Sequence, residues 1–190
     1  MFPETLYQPI TIFNTERLYL RPLSEGDIQA LFDLYCQPEV AEYSDAEPLN
    51  SLDEAEELLA DFNDSFSRRT QIRWGIVVRA TNTLIGTCAV FDFDEDNRRL
   101  EIGYELHSAY WGQGFMAEAL RPVLAYGFKV LDLHRIEAVV TPENIRSTQL
   151  LMKLGFRHEG TLRERFFFRG RFWDDAFYGL LRSDFNSGIA

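Results

Sequence analysis

The chain has 190 residues, 46% hydrophobic and 26% charged, with a formal net charge of -11. That length predicts one globular domain over 1–190, with 1–14 as an N-terminal extension, and the charge argues against nucleic acid as a partner. No apolar run approaches the ~20 residues of a membrane span, and Met1–Asn14 lacks a basic segment followed by an apolar one, so a cytoplasmic protein is expected.

Arg17–Leu23 alternates Leu18 and Leu20 with polar side chains until Pro22, which predicts a first strand. Ser24 and Asp27 then form an S-x-x-D start, after which Ile28, Leu31, Phe32, Leu34 and Tyr35 recur at helical spacing up to Pro38. Ser51 with Glu54 opens a second amphipathic helix, with Leu58, Leu59 and Phe62 inside and a row of acids outside. Between them, Glu39–Asn50 carries Tyr43, Ser44, Asp45 and Pro48 and reads as a loop, either a solvated connection or the border of a substrate site. Cys36 and Cys88 have neither C-x-x-C spacing nor clustered His partners, so both read as reduced, buried thiols and no metal is expected.

From Ile72 the pattern turns to β: Trp74–Arg79, Leu84–Phe93 and Arg99–Leu106 are three strands joined by short polar turns, an antiparallel meander. The third runs into Gly112 and Gly114 and then into a helix over Met116–Val130, a junction where unpaired amides and the helix dipole favour an anion. Pro122 falls inside that helix, which predicts a kink or a displaced start. Arg135–Val140 is a further strand, so strand, helix and strand form a crossover unit. Asn144 is an N-cap, Ser147, Leu151 and Leu154 share its helical face, and Gly155 is a left-handed C-cap. The chain ends in two aromatic-rich β segments, Arg157–Arg169 and Arg171–Leu181, joined at Gly170.

Four ordered motifs then stand out: T-E-R-L-x-L-R-P-L at Thr15–Leu23, E-I-G-Y-x-L-x-x-x-Y-W-G-x-G-x-x-x-E-A at Glu101–Ala119, N-x-x-S followed by L-G-F at Asn144–Phe156, and E-G-x-x-R at Glu159–Arg163. Together they span nearly the whole chain, which resembles the GCN5-related N-acetyltransferases (GNAT), in particular the branch that acetylates ribosomal-protein amino-termini. The resemblance implies an α/β (α+β) fold: a mixed, mostly antiparallel seven-stranded sheet flanked by helices and splayed between strands four and five. It implies acetyl-coenzyme A as co-substrate, with pantetheine beside Leu106, the diphosphate on the amides of Trp111, Gly112, Gln113, Gly114, Phe115, Met116 and Ala117, and contacts from Asn144 and Ser147. The chain departs from the family in two ways. Trp111 and Met116 stand at the first and last positions of [Q/R]-x-x-G-x-[G/A], and Leu151 stands where many members carry a tyrosine acid.

Acyl transfer to an amine needs a proton acceptor, and Glu101 and Glu105, an even number of residues apart on one strand, share a face and are the candidates; a cross-strand pair with Arg or Lys is the equal alternative for either. Ser147 is the candidate for protonating or hydrogen-bonding the leaving thiolate, and backbone N–H near Leu106 for stabilising the oxyanion. The expected acceptor is a protein N-terminus; a small-molecule amine (amino acid, polyamine or antibiotic) and a non-catalytic coenzyme A binding module are the alternatives. A monomer and a homodimer are equally compatible with the sequence, in which the aromatic residues Phe166, Phe167, Phe168, Phe172 and Trp173 are set for the core, the acceptor site or a dimer contact.

Overall fold

A computed structural model describes residues 10–44 and 46–188. Eight strands form one sheet in the order β1-β2-β3-β4-β5-β6-β8-β7. Alternation sets the first pair: Leu18 and Leu20 are fully buried while Tyr19 and Arg21 are not, making β2 (Leu18–Arg21), which pairs with the two-residue β1 (Phe13–Asn14). This short edge strand is the difference from the seven expected. Next come β3 (Gln71–Val78), β4 (Thr83–Asp94) and β5 (Arg99–Leu106), each antiparallel to its neighbour. The sheet continues through β6 (Arg135–Val140), and the hairpin of β7 (Arg157–Phe168) and β8 (Arg171–Leu181) closes its far side.

Helix α4 (Phe115–Lys129) crosses from β5 to β6 and packs Leu120, Val123, Leu124 and Phe128 on a core that includes Leu18, Trp74, Leu100 and Ile136. Pro122 lies inside it, yet the helix starts at the glycines, which corrects the expectation of a displaced start. On the other face lie α1 (Ile28–Tyr35), the single turn α2 (Pro38–Ala41) and α3 (Leu52–Ser67). Ser51 caps α3 by accepting from the Glu54 amide, while the Glu54 carboxylate accepts from the Asn50 amide at 2.7 Å. Helix α5 (Ile145–Lys153) is capped by Asn144 and ends in a Schellman turn, in which Gly155 at φ +94° lets the Phe156 amide reach the Leu151 carbonyl. A last helix, α6, spans Arg182–Gly188. Among the described residues no helix is long and apolar enough to cross a membrane.

Candidate functional site

The site begins where the sheet opens. β5 and β6 are parallel and pair only through Arg99, Leu100 and Glu101 with Arg135, Ile136 and Glu137. Beyond Glu101 each strand keeps only its outer partner, β4 for β5 and β8 for β6. The His107 amide donates to the Ile85 carbonyl, so Leu106, opposite Gly86, occupies a non-hydrogen-bonded position of the ladder, as does Tyr104 two residues before it. Their N–H and C=O groups therefore point away from β4 into the gap. An extended arm bearing amides fits such an edge, because backbone N–H and C=O groups that face a gap take hydrogen-bond partners there.

A cavity of about 410 Å³ occupies the gap. Its lining includes Tyr104, Glu105 and Leu106 of β5, Trp111–Gly112 and Gly114–Ala117 of the glycine junction, and Asn144, Arg146, Ser147 and Lys153 of the α5 region. The junction descends through a 3-10 turn at Ser108–Tyr110, then Gly112 at φ +71° and Gly114 at φ +80°. Gly114 is the N-cap of α4, so the amides of Phe115, Met116 and Ala117 have no upstream carbonyl in the helix. Those donors, the positive end of a 15-residue helix and two nearby cations suit a diphosphate.

Two distant motifs turn out to be one clamp on this cradle. Glu118 Oε1 accepts from Thr15 Oγ1 at 2.6 Å and from the Arg17 amide at 2.8 Å, and Glu118 Oε2 accepts from Arg17 Nε at 2.6 Å. Arg17 also donates to the Gln113 carbonyl at 3.1 Å and lies over the Phe115 ring. Trp111, the departure from the family pattern, ties the junction back to β5, its indole N–H donating to the Leu106 carbonyl at 2.7 Å. The Arg146 guanidinium stacks 4.3 Å from the centre of the same ring, so a cation stands here although position 111 lacks one. Met116, the other departure, is buried with the core, which leaves its backbone to the cradle.

The two carboxylates differ in setting. Glu105 lines the cavity, and its Oε2 meets Arg73 at 2.6 Å, Thr87 at 2.8 Å and Tyr35 at 3.1 Å. Glu101 lies outside the cavity lining, on the same face of β5 at the last β5–β6 pair. Burial, reinforced by Asp92 and Glu137, pushes its carboxyl up to about 7. Ser147 is buried, and its Oγ lies 2.7 Å from the phenol oxygen of Tyr104.

Of the cofactor residues expected from sequence, Leu106, Trp111, Gly112, Gly114, Phe115, Met116, Ala117, Asn144 and Ser147 converge on the cavity. Gln113 does not: its amide side chain turns back to the Ala109 carbonyl at 2.8 Å. The segment expected as a loop from Glu39 does reach it, but Glu39 and Val40 do so from the turn of α2, where Pro38 sits at the helix start, and Tyr43 from just beyond it. Gln37 braces that approach by accepting from the Ser108 amide at 3.1 Å and the Ser108 hydroxyl at 2.5 Å. Arg73 and Arg146 are not singled out by sequence, and Tyr104 enters only as the tyrosine of E-I-G-Y, with no role attached to its side chain. Tyr104 alternates like a core residue, Arg73 reads as a strand polar position, and only the place of Arg146 inside N-x-x-S points to it.

A family model described as an acetyltransferase (GNAT) domain matches residues 17–157. The chain is 38% identical to the uncharacterized N-acetyltransferase p20 of Bacillus licheniformis, over 96% of this chain and 98% of that protein. It is 26% identical, over 68% of its length and 69% of the relative's, to YdaF of Bacillus subtilis (strain 168), named as a candidate ribosomal N-acetyltransferase. The crystal structure of a spermidine N-acetyltransferase from Vibrio cholerae, in complex with CoA and spermine, superposes with a TM-score of 0.77 at 29% identity. That likeness covers 90% of this chain and 99% of the other.

Proposed function

The chain belongs to the GNAT acetyltransferases, and from that membership we propose that the amine it acetylates is the α-amine of a protein N-terminus. It is an N-acetyltransferase, and acetyl-CoA supplies the acyl group as a thioester. The observation that carries the acceptor reading is the place of Glu101 at the last β5–β6 pair, where the sheet opens and burial raises its carboxyl from the ordinary range. A carboxylate raised in this way suits an α-amine near 8 better than a lysine-like amine near 10.4. The exposed Glu39 and the Tyr43 ring border the entry, where an incoming cation is attracted before it loses its proton.

The chain's residues divide the work. The cradle from Trp111 to Ala117, with Asn144 and Arg146, holds the diphosphate end, and the open edge of β5 holds the arm. The Leu106 N–H points into the gap, where it donates to the carbonyl oxygen as charge develops there. Glu101 takes the amine proton through water, and Glu105, tied to Arg73, orients the amine. Because Glu101 must be ionised to act, kcat/KM for the amine is expected to fall as pH drops below about 7. Below about 7 the parent therefore loses rate with two protons, one on Glu101 and one on the amine, whose own value is near 8; Glu101→Gln is expected to leave only the single-proton slope of the amine, as read from pH profiles of the variant and its parent. A two-proton slope that survives in Glu101→Gln and becomes single in Glu105→Gln would transfer the base role to Glu105.

A polyamine acceptor is the second reading, favoured by the fold likeness to the spermidine enzyme. Thiol release from acetyl-CoA against a panel of N-terminal peptides, spermidine and spermine distinguishes the two. A peptide kcat/KM at least about tenfold above that of either polyamine, a difference of about 1.4 kcal/mol in transition-state binding, supports the first reading. The reverse order establishes the second.

A further inference from the structure

Tyr104 has no role in the machinery described so far. It leaves β5 on the face of α5, and its phenol oxygen sits 2.7 Å from Ser147 Oγ. Both residues line the cavity. The two hydroxyls therefore bridge the opened sheet from opposite walls, one on a strand and one in the first turn of a helix whose start is fixed by Asn144. Ser147 cannot serve well alone, because a serine that gives up its proton is left as a strongly basic alkoxide. A phenol, with an ordinary value near 10, is the better ultimate donor.

We propose that Tyr104 is the proton source for the leaving thiolate, acting through Ser147. This rests on acetyl transfer being the reaction, and it supplies from β5 the phenol that Leu151 does not supply from α5. As the carbon–sulfur bond breaks, its electron pair stays on sulfur. Ser147 gives its hydroxyl proton to that sulfur while Tyr104 gives its own to Ser147 Oγ, so Ser147 ends unchanged. The Tyr104 phenolate then recovers a proton from solvent water. Burial pushes the Tyr104 phenol upward from its usual value, Ser147 from α5 works against that shift, and Tyr178 from β8 adds to it. The phenol thus stays protonated at neutral pH, although a weaker acid than an exposed one, so the relay rests on the 2.7 Å contact with Ser147 and not on acid strength.

Tyr104→Phe removes one oxygen and keeps the ring. With an amine that the parent enzyme acetylates, kcat is expected to fall about 100-fold, the scale of acid catalysis, while KM for acetyl-CoA stays within about threefold. Ser147→Ala is expected to lose a similar factor, and Ser147→Thr, which restores a hydroxyl, to recover most of it. Because the two hydroxyls form one relay, the Tyr104→Phe/Ser147→Ala double variant is expected to be no slower than the slower single variant. A kcat within threefold of the parent in Tyr104→Phe, a loss confined to KM, or losses that multiply in the double variant would overturn the relay. Thiol release by the parent in the same assay shows that acetyl transfer itself stands whichever way the variants fall.

Discussion

A Gly114→Val variant is expected to bind acetyl-CoA about 100-fold more weakly than its parent, with kcat at saturation changed only a few-fold. Gly114 holds φ +80° as the N-cap of α4, a conformation that is strained for any L side chain and worst for a β-branched one. Space is not the difficulty, since a Cβ there would meet only the tip of Arg17 at 3.6 Å. The backbone must instead relax toward negative φ, which turns the first-turn amides away from the diphosphate. Losing two charge-assisted bonds at about 1.5 kcal/mol each gives the hundredfold. Gly170→Val is the matched comparison, because Gly170 has φ +76° at the β7–β8 turn and does not line the cavity. It is expected to lower stability by a similar amount and leave KM for acetyl-CoA in place. Equal KM values for parent and Gly114→Val would remove the cradle as the diphosphate site.

Arg73→Ala is expected to be the most destabilising single change near the site, at about 3–5 kcal/mol, or a melting temperature lower by roughly 6–20 °C. The Arg73 side chain is 10% exposed and that of Glu105 23%. One nitrogen, Nη1, with two hydrogens, lies 2.6 Å from Glu105, 2.7 Å from Thr87 and 3.0 Å from Tyr35, while the guanidinium lies over Phe62. Without it a carboxylate is left in a largely closed setting with two neutral hydroxyls. The double variant Arg73→Met/Glu105→Gln removes both charges and is expected to recover most of the loss, which thermal melts of the three proteins would measure. Recovery of stability without recovery of amine kcat/KM would separate the structural share of Glu105 from its share in orienting the acceptor.

Periodicity carried most of the fold. β5 and β6 fall at the residues expected, because strong alternation and adjacent turns leave little choice of boundary. α5 is equally legible, since Asn144 and Gly155 mark its ends by side-chain chemistry. β1 and α2 are two and four residues long, too short for any period to register. In the site, the residues carried by local motifs converged on one cavity, while those that act through distant partners stayed hidden. A pair of Glu105 with an Arg or Lys is open from its place on a strand, but Arg73 is 32 residues away and nothing in its neighbourhood marks it as the partner. Tyr104 was hidden by its own regularity. An alternating aromatic on a strand reads as core, and only the position of Ser147 on another element gives its hydroxyl a purpose.

The clamp of Thr15 and Arg17 on Glu118 closes loops of 103 and 101 residues. Contacts so remote in sequence cost more closure entropy than local helices and hairpins do. The amides proposed for the diphosphate are braced from β2 only through such contacts, so a chain still lacking β2 has no finished cradle. Occupancy then works back on assembly. A ligand that binds only the completed cradle, at a hundred times its dissociation constant, adds about 2.7 kcal/mol to the stability of the whole chain. Acetyl-CoA abundance in the surroundings would set how much of this protein persists folded as well as how fast it turns over.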